Sequence, residues 1–273
     1  MKSLRFLQVD VFTDRPFLGN PVAVVIGGEK LGTEAMQRIA GWTNLSETTF
    51  LLPSKLADYR LRIFTPRREL PFAGHPTIGS AHAALQAGFV RRKKKLTQEC
   101  GAGLIALAVE RGGIFLKAPE AQISAVEARL PFASKLVRVD VGPVWIVGEM
   151  ESAAALAALQ PDLAAMTAFS NQQKASGITL FAPSGEKASA LHVRSFAPAQ
   201  GINEDPVCGS GNISVAAYLR FSGKLGLVGN SYVARQGMQL GRDGRVSVRV
   251  SEGEIEIGGR CVTGVEGSLA VPT

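Results

Sequence analysis

Glu47 is a single carboxylate in Asn44-Leu45-Ser46-Glu47-Thr48-Thr49-Phe50, directly before an apolar run. Buried among such neighbours, it would have a raised pKa and could take and return a proton near neutral pH. A solvated glutamate, or a capping partner for Asn44, fits the same residues. Two further clusters carry polar groups beside glycine: Ala73-Gly74-His75-Pro76-Thr77 and Cys208-Gly209-Ser210-Gly211. His75 and Ser210 can each donate a hydrogen bond to a substrate or pass on a proton, or can cap a helix. Gly74 and Gly209 permit positive φ and close approach of a ligand to the backbone. The amides that follow them would form an anion nest at the positive end of a helix dipole. Tight strand-to-helix turns account for the glycines equally well. Asp205, in Glu204-Asp205-Pro206, either orients a neighbouring base or simply sits well before a helix N-terminus. Cys208 opens the same turn, where a thiol tends toward thiolate; the other reading is a small buried residue.

These clusters belong to a duplication. Arg62-Ile63-Phe64-Thr65-Pro66 is followed by Ala73-Gly74-His75-Pro76-Thr77-Ile78-Gly79, and Arg194-Ser195-Phe196-Ala197-Pro198 by Cys208-Gly209-Ser210-Gly211-Asn212-Ile213. The offset is 132 between the arginines and 135 between Gly74 and Gly209. A repeat of that length means two similar domains, not a solenoid of short units. The expected boundaries are 1–118 and 119–273, with Lys117 to Lys135, which holds Pro119 and Pro131, as the linker zone. The last strand, Leu269 to Pro272, either stays in the second domain or returns to the first.

In the first half, strands are expected at Leu4 to Phe12, Val22 to Ile26, Thr48 to Leu52, Tyr59 to Phe64, Thr97 to Leu107 and Ile114 to Leu116. Helices are expected at Thr33 to Ala40 and Pro76 to Ala87. The second half repeats the order. Its expected strands are Val137 to Val139, Val144 to Val147, Ile178 to Ala182, Ala190 to Phe196, Ser231 to Arg235, Val246 to Val250 and Glu254 to Ile257. Its expected helices are Ala153 to Leu159 and Ser210 to Phe221. The two long helices are small and apolar nearly all round, so each should be buried within its own set of strands.

The chain of 273 residues is 46% hydrophobic and 19% charged, with net charge +7. Much of the excess lies in Arg91-Arg92-Lys93-Lys94-Lys95, which has no interleaved aromatic residue for stacking on bases. A solvated loop after a helix C-terminus explains it, and nucleic acid is not an expected partner. The basic balance suits a small acidic substrate. No apolar run reaches a membrane span, and Met1 to Phe12 lacks a signal-peptide pattern, so a cytoplasmic protein is expected. Cys100, Cys208 and Cys261 form neither a disulfide framework nor a metal-ligand spacing. His75 and His82, seven apart, could share a helix face but make no metal pattern. No metal or cofactor is expected.

The chain resembles the phenazine-biosynthesis PhzF-like isomerase family of the diaminopimelate epimerase-like superfamily. The residues that carry the resemblance are Gln8-Val9-Asp10-Val11-Phe12 with Gly19-Asn20-Pro21-Val22-Ala23-Val24, and Ser46-Glu47-Thr48-Thr49-Phe50-Leu51. With them go Phe64-Thr65-Pro66, Pro71-Phe72-Ala73-Gly74-His75-Pro76-Thr77, and Asn203-Glu204-Asp205-Pro206-Val207 with Gly209-Ser210. The resemblance implies an α/β (α+β) fold of two pseudo-symmetric domains, each a curved, mostly antiparallel sheet around a central helix, with the site in the cleft between them. It implies a cofactor-independent isomerase, commonly a homodimer, that moves a proton on a small carboxylate of the trans-2,3-dihydro-3-hydroxyanthranilate type. Glu47 would be the acid/base, and His75, Asp205 and Ser210 would assist proton movement and hold the substrate. Gly74, Gly209, Gly211, Cys208 and Asn20 would bind substrate.

One position departs from the family pattern. Threonine is usual before the second Gly-Ser, and here it is Cys208. Related epimerases place a second cysteine before the first glycine, where this chain has Ala73. A two-thiol racemase is therefore not expected. A single-thiol epimerase or dehydratase using Cys208 is one alternative, and a non-catalytic small-molecule-binding protein is another.

Overall fold

The computed structural model describes residues 2–130 and 133–271. Met1, Pro131 of the expected linker and Pro272 of the last expected strand lie outside the described residues. Two units result: unit 1 is Met1–Leu116 with Gly258–Thr273, and unit 2 is Lys117–Ile257.

The chain runs through β1 (Lys2–Val11), β2 (Asn20–Ile26), α1 (Thr33–Thr43), β3 (Thr48–Leu52), β4 (Tyr59–Phe64) and β5 (Glu69–Leu70). It continues through α2 (Gly74–Gln86), β6 (Lys95–Cys100), β7 (Gly103–Glu110) and β8 (Gly113–Lys117). In unit 1, β2 lies antiparallel to β1, and β3 parallel to β2 with α1 as the crossover. β4 is antiparallel to β3, β6 is parallel to β4 with α2 as the crossover, and β7 is antiparallel to β6.

Unit 2 contains β9 (Gln122–Ala125), β10 (Ser134–Asp140), β11 (Val144–Glu149), α3 (Ala153–Ala158), α4 (Leu163–Gln172), β12 (Gly177–Glu186) and β13 (Ser189–Ala197). After these come β14 (Ile202–Asp205), α5 (Gly209–Phe221), β15 (Ser231–Gln236), β16 (Gly244–Val250), β17 (Ile255–Gly259) and finally β18 (Cys261–Val271). β10 to β13, β15 and β16 pair in the same sequence of senses: antiparallel, parallel, antiparallel, parallel, antiparallel. The duplicated sequence is thus a duplicated topology. β18 pairs antiparallel with β1 over its whole length, so it belongs to unit 1's sheet.

Each sheet curves around one helix. α2 touches β1, β2, β3, β4 and β18, while α5 touches β9, β10, β11, β12 and β16. Small residues make this enclosure possible. A Cβ on Gly79 of α2 would fall 2.5 Å from Val22 Cγ1 and 2.8 Å from Val11 Cγ2, so only glycine lets the helix lie this close to the strands. α1 covers the other face of unit 1 with a core that includes Met36, Ala40, Phe50 and Phe64. In unit 2 the matching layer is α3 and α4, with Leu156, Met166, Ile178 and Phe196.

The repeated Arg-x-Phe-x-Pro motif is structural in both copies. Arg62 donates to Glu69 of β5 through Nε and Nη2 at 2.7 and 2.6 Å, and its guanidinium lies 5.1 Å from the Phe64 ring centroid. Arg194 does the same to Glu204 of β14, at 2.9 Å through each nitrogen, and lies 4.9 Å from the Phe196 ring. Arg194 also donates through Nη1 to the carbonyls of Leu156 (3.0 Å) and Leu159 (2.8 Å), which closes the C-terminus of α3. Each arginine thus ties its strand to the short strand that leads into the central helix.

Several expected elements differ. Thr97 to Leu107 is a hairpin and not one strand: a turn at Gly101-Ala102 divides β6 from β7, and Gly103 takes φ +103°. α4 and β9 were not expected. Pro161 reads as a stop, but Asp162 starts a new helix at once by accepting from the Ala165 amide at 2.9 Å. β9 lies within the expected linker and pairs with β10 from Val137 to Asp140. The basic run is exposed after α2, and Lys93 pairs with Asp58 at 2.6 Å.

Candidate active site

The first cluster is built by β2, the segment before β3, and α2. Glu47 ends a short loop whose carbonyl accepts from the Ala23 amide at 3.3 Å, which fixes the residue against β2. Its Oε2 lies 3.3 Å from Nε2 of His75, with side-chain exposures of 13% and 8%. Burial raises the Glu47 pKa from 4.5 to about 7, offset in part by a hydrogen bond from Ser46. Asn20, itself buried at the start of β2, places Nδ2 3.5 Å from Nδ1 of His75. An Asn20 amide donating to Nδ1 leaves the ring proton on Nε2, on the Glu47 side.

His75 does not cap α2. The N-cap is Ala73, which makes no side-chain cap, and His75 is the second helical residue. Asn44 does not pair with Glu47 as a capping box either, because it is the left-handed C-cap of α1 at φ 54°. Those two bland readings are therefore overturned. Gly74 and Gly209 are not at positive φ: extended N-caps at Ala73 and Cys208 make the turns, and each glycine is already the first helical residue. His82 lies apart from His75, bonded to Gln86 at 3.1 Å and Thr263 at 3.2 Å.

The second cluster sits at the start of α5 in unit 2. The N-cap there is Cys208, not Ser210: its Sγ accepts from the Gly211 amide at 3.3 Å. Ser210 Oγ accepts from Trp145 Nε1 at 2.9 Å and lies 3.6 Å from Cys208 Sγ. Asp205 Oδ1 accepts from the Val207 amide at 3.0 Å. Cys208 is buried, and this, together with the nearby Asp205 charge, pushes its thiol well above the ordinary range. Burial thus opposes the thiolate that a helix N-terminus would otherwise favour. Gly211 has no room for a side chain: a Cβ would lie 2.6 Å from Ser195 Oγ and 2.8 Å from Thr179 Oγ1.

Sequence reading missed the residues that brace both helix starts. Gln98 of β6 donates to Thr77 at 3.0 Å, and Gln236 of β15 accepts from Asn212 at 2.9 Å and from the Cys208 amide at 3.2 Å. These buried glutamines occupy matching strands of the repeat. Each lies in the first strand that follows the central helix of its half, and that shared place in the repeated order of elements is the signal that finds them. Trp145 carries no comparable signal.

Residues 9–267 match the phenazine biosynthesis-like protein family, PhzC-PhzF. The chain belongs to this family. Among its relatives, antisense-enhancing sequence 1 of Schizosaccharomyces pombe is 39% identical, covering 96% of this chain and 97% of the relative. Trans-2,3-dihydro-3-hydroxyanthranilate isomerase of Pseudomonas aeruginosa is 35% identical, covering 90% of each. The crystal structure of a Bacillus anthracis PhzF-family phenazine biosynthesis protein superposes with TM-score 0.89 at 25% identity, covering 99% of this chain and 100% of that one. PhzF-family membership brings with it the diaminopimelate epimerase-like fold and supports an isomerase. No helix among the described residues is long and apolar enough to cross a membrane. No group of three or more His, Cys, Asp or Glu that could hold a metal ion occurs among them.

Proposed function

We propose that this PhzF-family protein is a cytoplasmic, homodimeric isomerase that moves a proton on a small cyclic or amino-acid-like carboxylate with its own side chains. The substrate class is of the trans-2,3-dihydro-3-hydroxyanthranilate type. The observation that carries the reading is the buried Glu47 carboxylate, raised to about 7 and set 3.3 Å from His75. A base with that pKa is available at neutral pH and, once protonated, is still a useful acid.

In the reaction, the Glu47 carboxylate takes a proton from a carbon activated by an adjacent conjugated system. The electron pair moves into that system, and Glu47 returns the proton at a different carbon, so nothing is gained or lost overall. His75 holds the carboxyl in place and exchanges protons with it. Asp205 and Ser210 hold substrate, Asn20 positions His75, and the amides at Gly74 and Gly209 stabilise developing negative charge. Gly211 and Cys208 shape the second nest, where the Gly211 amide already donates to Cys208 Sγ.

The single-thiol alternative has the raised Cys208 pKa against it. Proton exchange followed by NMR in heavy water tests the choice, using a panel of cyclic and amino-acid-like carboxylates that includes dihydro-hydroxyanthranilate. Wild type should exchange, Glu47→Gln should not, and Cys208→Ser should stay active. Exchange that survives Glu47→Gln overturns the proposal. Binding without exchange across the panel favours a binding protein.

A further inference from the structure

We infer that Trp145 is the positioning residue of the second cluster: its indole N–H makes Ser210 an obligate hydrogen-bond donor toward the substrate carboxylate. This rests on the reading of Ser210 as a substrate-holding residue and adds the group that fixes its hydrogen. Among Gly209, Ser210, Gly211 and Asn212, which start α5, only Ser210 is not buried, so the helix start opens outward there. Trp145 of β11 is 4% exposed and donates from Nε1 to Ser210 Oγ at 2.9 Å. An indole N–H donates and never accepts. Ser210 must therefore accept from it, and its own hydrogen is left for another acceptor. Cys208 Sγ, 3.6 Å from Ser210 Oγ, is a weak acceptor that a carboxylate oxygen displaces.

The indole is seated for this contact. Its strand partner in β12 is Gly177, where a Cβ would fall 2.8 Å from Trp145 Cζ3 and 2.2 Å from the Phe196 carbonyl oxygen, so a larger residue would displace the ring. The repeat holds the same device in unit 1. There the buried Asn20 of β2 places Nδ2 3.5 Å from Nδ1 of His75, the second residue of α2. β2 and β11 match in the duplicated topology, each antiparallel to the strand before it and parallel to the one after. In each half, a buried nitrogen donor from that strand holds the second residue of the central helix. Packing alone would not place a nitrogen donor at this point in both halves.

Calorimetric titration with 3-hydroxyanthranilate, an aromatic carboxylate that cannot isomerise, tests this. Ser210→Ala should weaken binding about tenfold and Trp145→Phe about threefold to tenfold, with circular dichroism unchanged. In the Ser210→Ala background, Trp145→Phe should cost nothing further, because it acts through that hydroxyl. Histidine carries Nε2 at the same number of bonds from the backbone as the indole Nε1. Trp145→His should therefore bind the probe more tightly than Trp145→Phe, although imidazole fills the site less well; a role in packing alone predicts the reverse order. Unaltered binding in Trp145→Phe, losses that add in the double variant, or histidine no better than phenylalanine overturns this inference and leaves the Glu47 chemistry standing. Proton exchange that survives Glu47→Gln overturns the isomerase reading alone. A wild type that does not bind the probe overturns both the substrate class and this role of Trp145.

Discussion

Glu47 Oε2 stands 3.3 Å from His75 Nε2, with both side chains almost wholly removed from solvent. The carboxylate comes from the loop before β3 and the imidazole from the second residue of α2, so strand and helix packing fix their separation. Burial makes the charged carboxylate costly and raises its pKa to about 7.

That shift predicts two opposed pH effects. As a base, Glu47 must be ionised in the free enzyme, so kcat/KM should rise with pH and level off above about 7. Stability should move the other way. Between pH 4.5 and about 7 the folded protein holds a proton that the unfolded chain has released, so stability falls as pH rises through this window. The full effect is about 3 kcal/mol, reduced by the remaining contact with solvent. Urea melts at pH 4 and pH 8 should show Glu47→Gln more stable than wild type only at the higher pH. An equal difference at both would remove the raised pKa.

Cys208 should react slowly. Its thiol is buried and pushed upward, so iodoacetamide at pH 8 should modify it well over tenfold more slowly than a free cysteine. Because serine is a good N-cap, Cys208→Ser should retain the helix start and activity within about tenfold. Peptide mass mapping after timed alkylation measures the first, and steady-state kinetics the second.

The two repeated arginines should differ in cost. Arg194 has 5% of its side chain exposed and Glu204 9%, and Arg194 also closes two carbonyls of α3. Arg194→Ala should destabilise by about 3–5 kcal/mol, because it leaves a buried carboxylate unpaired. Arg62 is 18% exposed and Glu69 38%, so Arg62→Ala should cost only about 1 kcal/mol. Denaturant melts at pH 7 decide this, and equal losses would contradict the burial argument.

Gly79→Ala should weaken unit 1. Its new methyl would collide with Val22 and Val11 at 2.5 and 2.8 Å, and overpacking of this kind costs about 1–3 kcal/mol. A thermal shift measurement should show a lower Tm, and rescue by Val22→Ala would locate the collision.

The duplication was legible because each half must solve the same packing problem. The small residues of α2 and α5 and the glycine-led helix starts repeat for that reason, and Arg62 and Arg194 build the same bridge in both halves. Glu47, His75, Asp205 and Ser210 could be named from motif and chemistry. Their environments could not, since burial is a property of everything packed around a group. Only tertiary structure set Glu47 beside His75, made Cys208 rather than Ser210 the cap, and brought Trp145 and Gln236 to the start of α5. It also returned β18 to β1, a pairing between residues at opposite ends of the chain. The sequence by itself determined which side chains are available and how often the fold repeats. The tertiary structure decided their protonation and partners, because desolvation and long-range pairing depend on neighbours distant along the chain.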